Sequence, residues 1–135
     1  MTVHTILYVA DQRRSTVFYA AVLATAATLD VPGMTEFQLG AGHILGLMPE
    51  QGIRRLLGDS CPDPAGASGI PRVELYFRVT DPESMFQRAK DAGARELSPI
   101  QARGWGDRAG YLMDPDGHVL AMASGGAGIR EPSGA

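Results

Sequence analysis

Gly42-His43-Ile44-Leu45-Gly46-Leu47-Met48 returns at an offset of 75 as Gly117-His118-Val119-Leu120-Ala121-Met122-Ala123. Three positions are identical and the other four are small or apolar in both copies. Working outward, His4 through Asp11 (HTILYVAD) aligns with Glu74 through Asp81 (ELYFRVTD), sharing Val9/Val79 and Asp11/Asp81. The two matches keep the same order along the chain, which is the signature of a duplicated structural unit.

Each copy carries one local pattern. Residues 3–10 and 72–79 alternate apolar with mixed residues, the period of a half-buried strand. Each strand ends at an aspartate placed to cap a helix, and Asp81-Pro82-Glu83 adds proline at the first helical position. The first helix is expected over 12–23, with Phe18, Val22, Val17 and Ala21 as its apolar stripe. The second is expected over 82–92, stopped by Gly93. Short strands follow near 26–31, 35–40 and 42–48, and near 95–101, 108–113 and 118–124. Asp114-Pro115-Asp116-Gly117 and Gly40-Ala41-Gly42 supply the turns.

The expected fold is α+β, with two βαβββ modules pairing into a curved mixed-sheet cleft. The modules span 1–57 and 72–124, a Gly- and Pro-rich linker spans 58–71, and a flexible tail covers 125–135. Arg54-Arg55-Leu56-Leu57 reads as a solvated turn rather than a helix over the cleft.

The 135 residues suit a single small domain, and 44% hydrophobic with 20% charged residues is an ordinary globular balance. Net charge is −3 and no run of Lys or Arg exceeds two, so no nucleic-acid partner is expected. The lone Cys61 suits a reducing compartment. No basic and apolar leader opens the chain, and no apolar run approaches the ~18 residues of a membrane span. A cytoplasmic protein with no membrane partner is the expectation. Phosphate-binding glycine loops, nucleophile elbows and paired C-x-x-C motifs are all missing from the sequence.

Alternation sorts the first strands into faces. Val3, Thr5, Leu7 and Val9, and likewise Val73, Leu75, Phe77 and Val79, should pack beneath the helices. The opposite faces carry His4, Ile6 and Tyr8, and Glu74, Tyr76 and Arg78, which suit the lining of a cleft. The repeat makes His4 equivalent to Glu74 and Gly46 equivalent to Ala121. Arg103-Gly104-Trp105-Gly106-Asp107-Arg108 places an indole between glycines before a strand, where it either stacks on a planar ligand or plugs a seam.

The opening His4-Thr5-Ile6-Leu7-Tyr8-Val9-Ala10-Asp11, with Ser15-Thr16-Val17-Phe18-Tyr19, resembles the vicinal oxygen chelate superfamily of glyoxalase I, extradiol dioxygenases and bleomycin-resistance proteins. So does the closing Gly110-Tyr111-Leu112-Met113-Asp114-Pro115-Asp116-Gly117-His118. The resemblance covers residues 1–124 and implies a glyoxalase/bleomycin-resistance-like fold and a homodimer. It also implies a divalent cation in metal-using members, held at the positions of His4, Gly46, Glu74 and Ala121. Gly46 and Ala121 lack donors, so no cofactor is expected and metal binding by His4 and Glu74 is the alternative.

The function expected is binding of a small organic molecule by His4, Tyr8, Met48, Glu74, Tyr76, Arg78, Trp105, Tyr111 and Met113. A metal-dependent glyoxalase-like lyase or isomerase is the alternative, and His4 and Glu74 are then the catalytic candidates. Whether the chain is an enzyme stays open at this point.

Overall fold

The structure is a computed structural model that describes residues 1–125. The expected tail falls on 126–135, outside the described residues, except that Gly125 ends the last strand instead of opening the tail.

Two compact units divide the chain after Ser68. The first unit contains β1 (Val3–Val9), α1 (Gln12–Leu23), β2 (Leu29–Val31), β3 (Met34–Gly40) and β4 (His43–Pro49). Its sheet order is β1-β4-β3-β2, with β1 parallel to β4 and the other pairs antiparallel. After α2 (Glu50–Leu57) come two short 3-10 turns, Gly58–Ser60 and Pro64–Ala67.

The second unit repeats the plan as β5 (Glu74–Arg78), α3 (Pro82–Asp91), β6 (Arg95–Ala102), β7 (Asp107–Met113) and β8 (Val119–Gly125). Its order is β5-β8-β7-β6, again with one parallel pair, β5 with β8. A βαβββ chain produces this order in each unit because the helix crossover allows the first strand to lie parallel to the last. Among the described residues no helix is long and apolar enough to cross a membrane.

The predicted caps are formed. Asp11 Oδ1 accepts from Arg14 N at 3.0 Å, and Asp81 Oδ1 accepts from Ser84 N at 3.1 Å. Asp114 Oδ1 takes the backbone N–H groups of both Asp116 and His118, and Gly117 sits at φ 97° to complete the turn.

Two expectations need correction. The buried stripe of α1 is Ser15, Phe18, Tyr19 and Val22, whereas Val17 and Ala21 face outward. Positions 15, 18, 19 and 22 obey the 3.6-residue period, which Val17 and Ala21 do not share. Residues 54–57 are the last turn of α2, not a solvated turn. Ile53 buries one side of that helix, and Arg54 Nη1 donates to the carbonyls of Gly58 and Cys61, which ties the helix to the turn that follows it.

The first core joins Leu7, Val9, Phe37, Leu45 and Leu47 to Phe18, Tyr19 and Val22 of α1. The second joins Leu75, Leu112, Leu120 and Met122 to Met85, Phe86 and Ala89 of α3. In each unit the helix covers one sheet face, so the other face is where polar and aromatic groups can gather.

Candidate functional site: an aromatic and polar face on the second sheet

Strand register decides what shares the face of the second sheet opposite α3. Glu74 pairs with Val119, Tyr76 with Ala121 and Arg78 with Ala123. Across β7, Ala109 pairs with Ala123, Tyr111 with Ala121 and Met113 with Val119. Paired residues project to the same side. The face therefore has a floor of Ala109, Ala121 and Ala123, with Tyr76 and Arg78 on one side and Tyr111 and Met113 on the other. The three alanines are fully buried, so the larger side chains around them close over this floor.

A connected polar group stands at one end. Asp107, 2% exposed, is clamped by Arg78, with Nη2 to Oδ1 at 2.7 Å and Nε to Oδ2 at 3.2 Å. The Tyr76 hydroxyl donates to Asp107 Oδ2 at 2.6 Å and accepts the indole N–H of Trp105 at 2.8 Å. A buried carboxylate needs this degree of satisfaction, because an isolated one would cost several kcal/mol or more.

The hairpin that carries Trp105 is fastened at its base. Arg103 N donates to the Asp107 carbonyl at 2.8 Å, and the Arg103 guanidinium reaches Ala109 O, Ser98 Oγ and Pro99 O. That guanidinium also lies 5.2 Å from the Tyr111 ring centroid, within cation–π range. Gly106, at φ 101°, supplies the left-handed turn. Trp105 itself remains 41% exposed, so its indole is tethered yet accessible.

Both tyrosines are harder to ionise than usual. Burial raises the Tyr76 pKa, and the bond to Asp107 raises it further, while the Trp105 N–H works the other way. Burial also raises Tyr111, helped by the Glu74 carboxylate. Both hydroxyls therefore stay protonated at neutral pH.

The sequence candidates divide between the units. Glu74, Tyr76, Arg78, Trp105, Tyr111 and Met113 belong to this face or its rim. His4, Tyr8 and Met48 belong to the first sheet, where Tyr8 pairs with Met48 and His4 with Ile44. The carboxylate beside His4 is Glu36 of β3, at 3.6 Å from Nδ1. His43 turns to the helix side, where Nε2 meets Thr5 Oγ1 at 2.8 Å.

The sequence pattern alone points to no role for Asp107, Arg103 or Glu36. The strand expected to start near 108 begins one residue earlier, with Asp107. Extending the alternation of Ala109, Tyr111 and Met113 back by one step puts Asp107 on the tyrosine face. The same step from Met34 reaches Glu36.

The chain matches the model of the glyoxalase-like domain over residues 2–125. It belongs to the glyoxalase-like domain family. Within the vicinal oxygen chelate superfamily it has many structural neighbours. A glyoxalase-related enzyme from Fulvimarina pelagi superposes with a TM-score of 0.77 at 23% identity, covering 96% of this chain and 95% of that one. A glyoxalase/bleomycin resistance protein/dioxygenase from Nocardioides gives 0.76 at 24% identity, covering 98% and 87%. At these identities the likeness concerns the fold. Uncharacterized protein Rv0887c of Mycobacterium tuberculosis is 35% identical over 85 residues, covering 63% of this chain and 48% of its own length. The chain thus spans about half the length of the curated relatives it matches.

The cation of metal-using superfamily members can be tested against the donors present. His4 and Glu74 offer an imidazole and a carboxylate, whereas Gly46 and Ala121 offer nothing. A Cβ at Gly46 would lie 3.1 Å from Ile6 Cγ1 and 3.2 Å from Met34 Sδ, so apolar groups crowd that corner. Among the described residues no three His, Cys, Asp or Glu gather as a metal site. A catalytic metal usually takes about three protein ligands. This donor set does not fit one.

Proposed function

We propose that this glyoxalase-like chain binds a small organic molecule with a flat aromatic part, on the face of its second sheet and without a resident metal centre. The observation that supports this most is the Trp105 indole, exposed yet held by its N–H on Tyr76 at the edge of an alanine floor. Rigid aromatic surface with one satisfied polar edge suits stacking at little entropic cost. Tyr111 supplies a second ring, Glu74 a carboxylate near it, and Met113 an adaptable apolar contact.

A thermal-shift screen of planar heteroaromatic compounds tests the reading. A ligand at 100 times its Kd should add about 2.7 kcal/mol of stability. The gain should disappear in Trp105→Ala while the variant's own melting stays close to that of the parent. If stabilising compounds raise Trp105→Ala equally, the binding surface lies elsewhere.

A further inference from the structure

The orientation of Trp105 is tied to Tyr76. The residue sits in a four-residue turn between Gly104 and Gly106, and nothing within 4 Å of either glycine's Cβ direction walls the turn in. Its indole N–H donates to the Tyr76 hydroxyl at 2.8 Å. That hydroxyl has one proton, and the proton is committed to Asp107 Oδ2 at 2.6 Å. A phenol that donates in one direction presents its lone pairs in the others. The direction in which Tyr76 accepts is therefore dictated by where Asp107 stands.

Asp107 is immobile in turn. It is buried, begins β7 and is gripped at both oxygens by Arg78. A bidentate guanidinium–carboxylate pair fixes the plane of the carboxylate as well as its position.

We infer that Asp107 is the positioning residue of the ligand face: through Tyr76 it fixes the plane of the Trp105 indole on which the ligand stacks. This rests on the ligand reading above. Because the indole N–H is already engaged, the ligand meets Trp105 through its ring face and not by accepting that N–H.

Trp105 is the single tryptophan in the chain, so its fluorescence reports the indole alone. Tyr76→Phe removes the acceptor but leaves the Arg78–Asp107 pair. Asp107→Asn keeps the shape and weakens the clamp. The probe is quinoline, titrated against the parent and each variant. In Tyr76→Phe, acrylamide quenching of Trp105 should rise about twofold and anisotropy should fall. Quinoline affinity should weaken about two- to tenfold, the worth of one hydrogen bond. Asp107→Asn should move both readouts in the same direction by less. Arg108→Ala, which breaks the ion pair with Glu83 on the helix side, should move neither. Quenching and anisotropy in Tyr76→Phe equal to the parent would overturn the inference. If quinoline fails to bind even the parent, the ligand reading fails, while the fluorescence pair still decides the role of Asp107. If Asp107→Asn does not fold, Tyr76→Phe carries the test alone.

Discussion

Gly110 lies where the Phe86 ring closes on β7: a Cβ added there would stand 2.6 Å from Phe86 Cε1 and 2.6 Å from Ile100 Cγ1. The helix of the second unit packs this tightly because glycine leaves the sheet bare at one point. Gly110→Ala should therefore destabilise by about 1–3 kcal/mol through overpacking. Chemical denaturation of the variant measures it, and Phe86→Leu in the same chain should recover part of the loss. An unchanged midpoint in Gly110→Ala would show that helix and strand are not in this contact.

The turn from β7 to β8 depends on one carboxylate. Asp114 Oδ1 accepts from Asp116 N at 2.9 Å and from His118 N at 2.8 Å, and Asp114 is itself buried. Asp114→Ala leaves both donors without that acceptor and should cost about 2 kcal/mol. Gly117→Ala should also destabilise, since φ 97° disfavours a side chain and its Cβ would approach the Gly69 backbone at 2.7 Å. Thermal melts of both variants check this. A melting temperature equal to the parent's in both would contradict the turn's role.

The raised tyrosines give an alkaline limit. The folded chain holds protons on Tyr76 and Tyr111 that the unfolded chain releases at the ordinary value of about 10. Their contribution is fully present below that value and is lost as pH rises through the raised folded values. Denaturation midpoints should hold steady to about pH 9 and fall above about pH 10. The fall should be shallower in Tyr76→Phe. An identical alkaline slope in parent and variant would show that Tyr76 is not held protonated by its surroundings.

The metal reading has its own check. Protein purified without chelator, soaked in nickel or zinc and then dialysed, should retain well below one equivalent, and His4→Ala should not change the amount. Stoichiometric metal that vanishes in His4→Ala would restore the lyase or isomerase alternative.

Much of the fold was legible because duplication doubles each weak signal. The pairs Leu45/Leu120 and Asp11/Asp81 locate the last strand and the helix cap of each unit, and both are where the repeat puts them. α2 was hidden because Gly52 interrupts its pattern and Ile53 is its one buried apolar residue. On α1, the small Ser15 and the polar end of Tyr19 disguise two buried positions, while the more apolar Val17 is exposed.

The site was partly legible for a different reason. Tyr76, Arg78 and Tyr111 stand out by strand alternation, and Trp105 by its flanking glycines. Asp107 did not, because a carboxylate at a strand end looks like a solvated turn residue. Only side-chain geometry shows the Arg78 fork that makes its burial tolerable. Glu36 was missed similarly, since the distance from His4 depends on β3 reaching across β4.

The most direct test of the ligand face is a nuclear magnetic resonance titration of the labelled chain with quinoline, read at every backbone amide and at the indole N–H of Trp105. The account predicts dose-dependent shifts centred on Tyr76, Trp105, Tyr111 and Ala121, all abolished in Trp105→Ala. Shifts that spare these residues and cluster on α2 or on the β2 edge would contradict it.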